Sequence, residues 1–190
     1  MENEEFLEKA RQAIETHDAA LLEFLVDSVS TYCFEEDRFD QTPFDPELFA
    51  FLLNQIQSPK LHTMESSFYL IMLFEHDWAR FTKEQKAELL PILERNYKLY
   101  VDFMAWYVIA EILARFYANE AAFSTLKRLR EVTSGTPPQE LIPLGFGLLA
   151  RYAKDPDLRI RSKNELMGLA NSKDCEMAKA AQECLEDLRI

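Results

Sequence analysis

Apolar residues recur along nearly the whole chain at intervals of three and four, the spacing that lines one face of an α-helix. Phe6, Ala10, Ala13 and Ile14 mark a first helix over 3–16. His17-Asp18 interrupts it, and Asp18 is placed to cap a second helix that carries Leu21, Leu22, Leu25, Val26 and Val29 inside and reaches about Cys33. An acid-rich stretch with Pro43 follows, the longest loop the pattern predicts. Asp45-Pro46-Glu47 then has the order of a helix start: a capping Asp, Pro in the first turn, and an acid at the positive end of the helix dipole. A fourth helix is expected over 63–78. Thr82 with Gln85 three residues on has the form of a capping box and opens a fifth, in which Pro91 should cause a kink or lie near the first turn.

Further helices are expected over 100–117 and from Asn119 to Val132. The break Ser134-Gly135-Thr136-Pro137-Pro138 precedes a helix to about Ala153. Asp155, with Pro156 behind it, caps the next, and Ser172 or Asp174 caps the last. The pattern thus predicts about ten helices joined by short loops, or about five antiparallel pairs. No linker divides them, so 1–190 reads as a single all-α domain. Composition agrees: four glycines are too few for a strand-and-turn protein, and Leu, Ala, Glu and Lys are plentiful.

Consecutive helix pairs raise the question of repeats. Asp155, Leu158, Arg159, Ser162 and Leu166 follow the order that opens the second helix of a HEAT unit: Asp, an aliphatic residue followed by Arg, a small residue, then Leu. Asp174, Met177, Ala181 and Leu185 repeat it, with Ala178 where the Arg would stand. Ala105 to Leu129 is similar in outline. The chain therefore resembles HEAT-like helical repeats, most clearly in its C-terminal half. The resemblance implies a right-handed α-α superhelix, an α-solenoid of stacked pairs whose curved face receives partners. The two C-terminal copies lie 19 residues apart, closer than full units, and a non-repetitive helical bundle is the alternative.

Charge narrows the partners. The net charge is −12, with −10 in residues 1–60, −2 in 61–117 and zero in 118–190. Phosphate backbones and anionic membranes repel such a chain, whereas a basic protein is drawn to its N-terminal third. The three cysteines have no paired spacing, which points to a reducing compartment. Met1 to Glu8 lacks the basic-then-apolar order of a signal peptide, and no apolar run is long enough for a membrane span. The expectation is a cytoplasmic protein.

Catalytic and cofactor motifs are hard to place. His62 and His76 fall about 21 Å apart along one helix and cannot share a metal. Gly145-Phe146-Gly147 lacks the lysine and preceding strand of a phosphate loop and suits close helix packing. Cys184, at an apolar spacing with Ala180, Ala181 and Leu185, reads as a buried inert thiol. Trp78 and Trp106, among apolar neighbours, read as core. The basic clusters Lys127-Arg128-Arg130 and Arg159-Arg161-Lys163 are too sparse for a nucleic-acid groove.

No catalytic residue, metal or cofactor is assigned. Polar stripes at helical spacing are the strongest lead: Glu23 and Asp27; Glu65, Tyr69 and His76; and Tyr107, Glu111 and Arg115. Glu35, Glu36, Asp37 and Asp40 add an acidic loop. The expected function is protein–protein interaction, binding a basic partner through this acidic and aromatic surface, in its concrete form an immunity-type protein that neutralises a bacterial toxin. An enzyme or nucleic-acid-processing protein on a HEAT-like scaffold, and a peptide-binding adaptor, are the alternatives.

Overall fold

The computed structural model describes residues 3–25, 44, 46–57, 78–95, 106–133, 135 and 137–189. Among them every regular element is helical and none is a strand. The chain forms two compact units, Met1–Phe103 and Met104–Ile190.

In the first unit lie α1 (Asn3–Thr16), a helical stretch over 19–25, α2 (Pro46–Gln57), a short 3-10 turn (Trp78–Arg80) and α3 (Lys83–Arg95). Residues 63–77 of the expected fourth helix and the acidic loop lie outside the described residues, as does Asp45; Trp78, the expected end of that helix, stands in the 3-10 turn. His17 ends α1 in the left-handed region (φ 54°), and the next N–H, from Asp18, reaches back to the Ala13 carbonyl. Asp18 then caps 19–25 by accepting from the Leu21 N–H at 3.0 Å.

The capping box at α3 forms as expected. Gln85 Oε1 accepts from the Thr82 N–H at 2.9 Å, and the Gln85 N–H donates to Thr82 Oγ1 at 3.2 Å. Buried Gln85 also bonds beyond the box. Its Nε2 donates to the Phe44 carbonyl at 3.3 Å, while the Phe44 N–H donates to the Arg80 carbonyl. Phe44 is thereby tied across to the 78–85 segment. Pro91 lies well inside α3 and faces solvent.

Phe81 organises the core of this unit. Its ring meets Phe44 at 4.9 Å, Phe49 at 5.2 Å and Trp78 at 6.0 Å, all edge-to-face. Lys86 lies 5.0 Å over the half-buried Trp78 ring, and burial lowers its ammonium pKa.

The second unit contains π1 (Tyr107–Tyr117), α4 (Glu120–Val132), a 3-10 turn (Pro137–Leu141), α5 (Ile142–Tyr152), α6 (Pro156–Leu169) and α7 (Cys175–Asp187). The first of these departs from the sequence expectation: 107–117 is a π-helix, wider than an α-helix, with i→i+5 hydrogen bonds. It ends at Ala118, left-handed at φ 41°, whose N–H reaches the Leu113 carbonyl five residues back. The caps read from the sequence for this unit form. Asn119 accepts from Ala122 N–H, Asp155 from Asp157 N–H, and Asp174 from Glu176 and Met177 N–H; Ser172 instead receives the Asp174 N–H.

Central to this unit is α5, which packs against π1, α4, α6 and α7. Gly145 makes that possible: a Cβ there would stand 2.9 Å from Leu126 Cδ2 and 3.0 Å from Ile109 Cγ2. Gly147 serves α7 in the same way, since its Cβ would stand 3.2 Å from that of Cys184. The HEAT-like positions supply core residues: Leu158, Ser162 and Leu166 of α6 and Met177 and Ala181 of α7 are buried, while Leu185 is half-buried.

Ser162 is fully buried, and its hydroxyl has no hydrogen-bond partner among the described residues. An unsatisfied buried hydroxyl costs about 1–3 kcal/mol, and alanine is the better helix former. Ser162→Ala is therefore expected to stabilise the protein by about 1 kcal/mol, a gain of roughly 2–4 °C in thermal midpoint. A fall in the midpoint by calorimetry would show that the hydroxyl is satisfied in solution.

Candidate functional site

Two side-chain arrangements on the second unit carry more than packing. The first lies where π1 meets α5. Glu111 and Arg115 are four residues apart in π1, and Arg115 Nη1 donates to Glu111 Oε2 at 2.8 Å. The Glu111 side chain is largely covered, at 13% of its accessible surface, whereas that of Arg115 is half exposed at 51%. Tyr152, the last residue of α5, brings its ring within 5.8 Å of the Arg115 guanidinium and stays 46% exposed. Next to it, Arg151 Nη2 donates to the Asp187 carbonyl at 3.0 Å, joining the ends of α5 and α7.

An exposed i,i+4 ion pair contributes only a few tenths of a kcal/mol. Its value here is geometric. The carboxylate holds the guanidinium, which holds its place over the phenol ring, so a partner meets side chains that have lost little freedom still to lose. Tyr, Trp and Arg are the residue types that dominate binding energy in protein interfaces. Trp106, immediately before π1, is 41% exposed. It is not core, contrary to the sequence expectation; its apolar neighbours Val108, Ile109 and Ala110 take the buried positions instead.

The second arrangement is the seam between α4 and α6. Arg161 of α6 grips the Glu120 carboxylate with both terminal nitrogens, one at 3.1 Å. Glu165 accepts from Lys127 at 2.9 Å and from Arg130 at 3.4 Å. The Phe123 ring receives Arg161 at 4.9 Å and Lys127 at 5.8 Å. Hydrogen bonding from Arg161 lowers the Glu120 carboxyl pKa and raises that of the guanidinium. The two basic clusters of the sequence are thus divided by role. Lys127, Arg130 and Arg161 are committed to acids within the unit, whereas Arg159 and Lys163 are exposed and make no ion pair among the described residues.

Of the residues singled out from sequence, Glu23 is exposed on the 19–25 stretch, and Glu111 and Arg115 are brought together. Tyr107 opens π1. Asp27, Glu35, Glu36, Asp37, Asp40, Glu65, Tyr69 and His76 lie outside the described residues. Sequence reasoning misses Tyr152. It shares no local spacing with Glu111 and Arg115, and only the packing of α5 on π1 unites them.

Among the described residues, no three His, Cys, Asp or Glu side chains gather as a metal site would require, and no helix is long and apolar enough to cross a membrane. Cys184 is half-buried against Gly147, and its thiol pKa is raised by burial, then by Asp187 and Glu183, against a smaller opposing effect of Arg151. Cys175 is exposed at the start of α7. Iodoacetamide at mildly alkaline pH is therefore expected to label the Cys175 peptide well before the Cys184 peptide, read by mass spectrometry; equal rates would contradict the packing of α7 on Gly147. No protein-family model, curated protein or solved structure matches the chain.

Proposed function

We propose that the chain is a protein-binding module without catalytic activity, that its second unit is a short HEAT-like solenoid, and that its first unit engages a basic protein. One observation carries this reading. The boundary between the compact units is also an electrostatic boundary: residues 1–103 hold 21 acids and 9 bases, the entire −12, whereas 104–190 hold 12 of each. Charge concentrated in one unit draws a cationic partner by long-range attraction and sets where it lands. Exposed Glu5, Glu8, Glu15, Asp18 and Glu23 belong to that unit.

The solenoid reading is supported by neighbour relations. Within the second unit, π1 and α7 each pack on α5, α4 pairs with π1, α6 pairs with α5, and α4 touches α6. With α4 also touching α5 and α6 touching α7, these relations are compatible with two stacked helix pairs followed by a third first helix. The outward residues Glu176, Lys179, Glu183 and Glu186 give α7 the polar face of a terminal repeat. The Arg115–Tyr152 surface supplies a preorganised aromatic contact on the same unit. A small acidic binder of this kind suits the neutralisation of a cationic toxin, as an immunity-type protein does.

Affinity capture at low salt, followed by titration of the purified partner, tests the proposal. The expected partner is basic. Its affinity falls at least about tenfold as ionic strength rises from about 50 to about 500 mM, because screening shortens the range of the attraction. Lysine at Glu5, Glu8, Glu15 and Glu23 lowers the affinity with the helix content intact. A neutral or acidic partner, or binding indifferent to salt, overturns it.

A further inference from the structure

The two flanks of α6 are used differently by the fold. Leu158, Ser162, Leu166 and Leu169 form its buried stripe. On one flank Arg161 holds Glu120 of α4, with Asp155 and Asp157 adding to the pull on its guanidinium, and Glu165 takes Lys127 and Arg130 of α4. The charges of that flank are matched within the unit. On the other flank Arg159 and Lys163 lie one turn apart, exposed, without an ion pair among the described residues. Opposite the buried stripe stand Ile160 and Met167, 58% and 45% exposed, which are large apolar groups to leave in water. Exposed Lys163 and Asn164 occupy the turn between them.

Two turns of a helix take about seven residues, so Ile160 and Met167 stand nearly in line, about 10 Å apart along the axis. They are two separate apolar points with a cation and an amide between them. A second helix lying along α6 matches that order. It presents residues seven apart at the same spacing, and the side chains three or four positions on fall between them. Charge decides what those middle side chains must be. An acid there gains Lys163, and an acid one turn away gains Arg159. A base gains nothing, because Asp157 and Glu165 already act on cations of the other flank.

We propose that the outer ridge of α6 docks an acidic amphipathic helix of a partner protein. Apolar side chains seven positions apart on that helix cover Ile160 and Met167, an acid between them pairs with Lys163, and a second acid pairs with Arg159. The few groups involved place the contact among small, transient interfaces. It is separate from the Arg115–Tyr152 surface and from the binding of a basic partner by the first unit, and it stands or falls without them.

Titration of the full, nitrogen-15-labelled chain with a designed helical peptide, followed by NMR, provides the test. The probe is an alanine-based helix of about 18 residues with two leucines seven positions apart and glutamates between them and on the turns before and after. At about 150 mM salt, screening over about 8 Å confines the attraction to charges near the contact. Saturable amide shifts are expected along α6, with Kd of about 1 mM or tighter. Moving the leucines five positions apart, which puts them on different sides of the probe, removes these shifts. So does Ile160→Glu with Met167→Glu in the protein. Arg159→Glu with Lys163→Glu weakens the acidic probe at least about tenfold, and the α6 amides then respond to a probe carrying lysine in place of glutamate. Circular dichroism establishes that each variant keeps its helix content. Acidic-probe shifts that are absent or lie only outside α6 overturn the proposal, as do shifts that survive the Ile160 and Met167 substitutions. The same α6 shifts on concentrating the chain alone would give the face to a second copy, and displacement of the probe by a single-stranded oligonucleotide would give it to nucleic acid; either overturns the proposal.

Discussion

Phe146→Ala is expected to lower the stability of the protein by about 3–5 kcal/mol, the range found when a fully buried phenylalanine is truncated. Phe146 has no accessible surface and is among the largest of the fully buried side chains. It projects from α5, the helix against which π1, α4, α6 and α7 all pack, and its ring meets Phe123 edge-to-face at 5.6 Å. Losing it removes apolar burial, leaves a cavity among neighbours that five helices hold in place, and deprives Phe123 of its partner. The void cannot be filled easily: Gly145 and Gly147 on either side contribute no side chain, and a Cβ on either would already stand 2.9 or 3.2 Å from its neighbour. Domains are commonly stable by about 5–15 kcal/mol, so the loss takes a large share of the total. Urea denaturation followed through Trp106, in a Trp78→Phe background, measures it; a loss under about 1.5 kcal/mol would mean that α5 is not the centre of this unit. Phe146→Leu is expected to recover more than half of the difference, since it restores most of the volume.

That centre is only partly legible in the sequence. Helix starts depend on a handful of adjacent residues, so Thr82 with Gln85, Asn119, Asp155 with Pro156, and Asp174 can each be read directly, and each forms its bonds in the structure. Burial along α6 is legible for the same reason, because helical spacing alone places Leu158, Ser162 and Leu166 on one face. The π-helix is not. Apolar spacing reports which residues face inward, and the run from Val108 to Ala114 is apolar on almost every side, so a turn of four residues or of five buries it alike. Trp106 escapes the pattern because apolar neighbours do not fix its own direction, and the residues after it fill the interior.

Contacts between distant residues are the main omission. Gln85 to Phe44 and Arg161 to Glu120 each span 41 positions, and nothing local announces them. The candidate surface shows the same division. Glu111 with Arg115 is an i,i+4 pair and can be read; Tyr152 joins them through tertiary packing and cannot. The electrostatic split is visible as a gradient along the chain, but its edge becomes a structural fact only where the compact units divide at residue 103.

Phe81→Ala should be the counterpart in the first unit, again at about 3–5 kcal/mol. Phe81 is 4% exposed and is the common neighbour of Phe44, Phe49 and Trp78. Edge-to-face ring pairs add about 0.5–1.5 kcal/mol beyond burial, and this substitution removes three at once. It also loosens what the cluster holds. Phe44 is fixed from one side by the Phe81 ring and from the other by its bonds with Arg80 and Gln85, so a cavity under the ring weakens those bonds as well. Gln85→Ala tests that coupling, because it cuts the hydrogen bonds and leaves the rings in place. If ring packing and the Gln85 tie act as one unit, the double substitution costs less than the two single ones added together, by more than about 0.5 kcal/mol. Trp78, 6.0 Å from Phe81, reports the unfolding in a Trp106→Phe background. Strict additivity would mean that ring packing and the Gln85 tie hold Phe44 independently of one another.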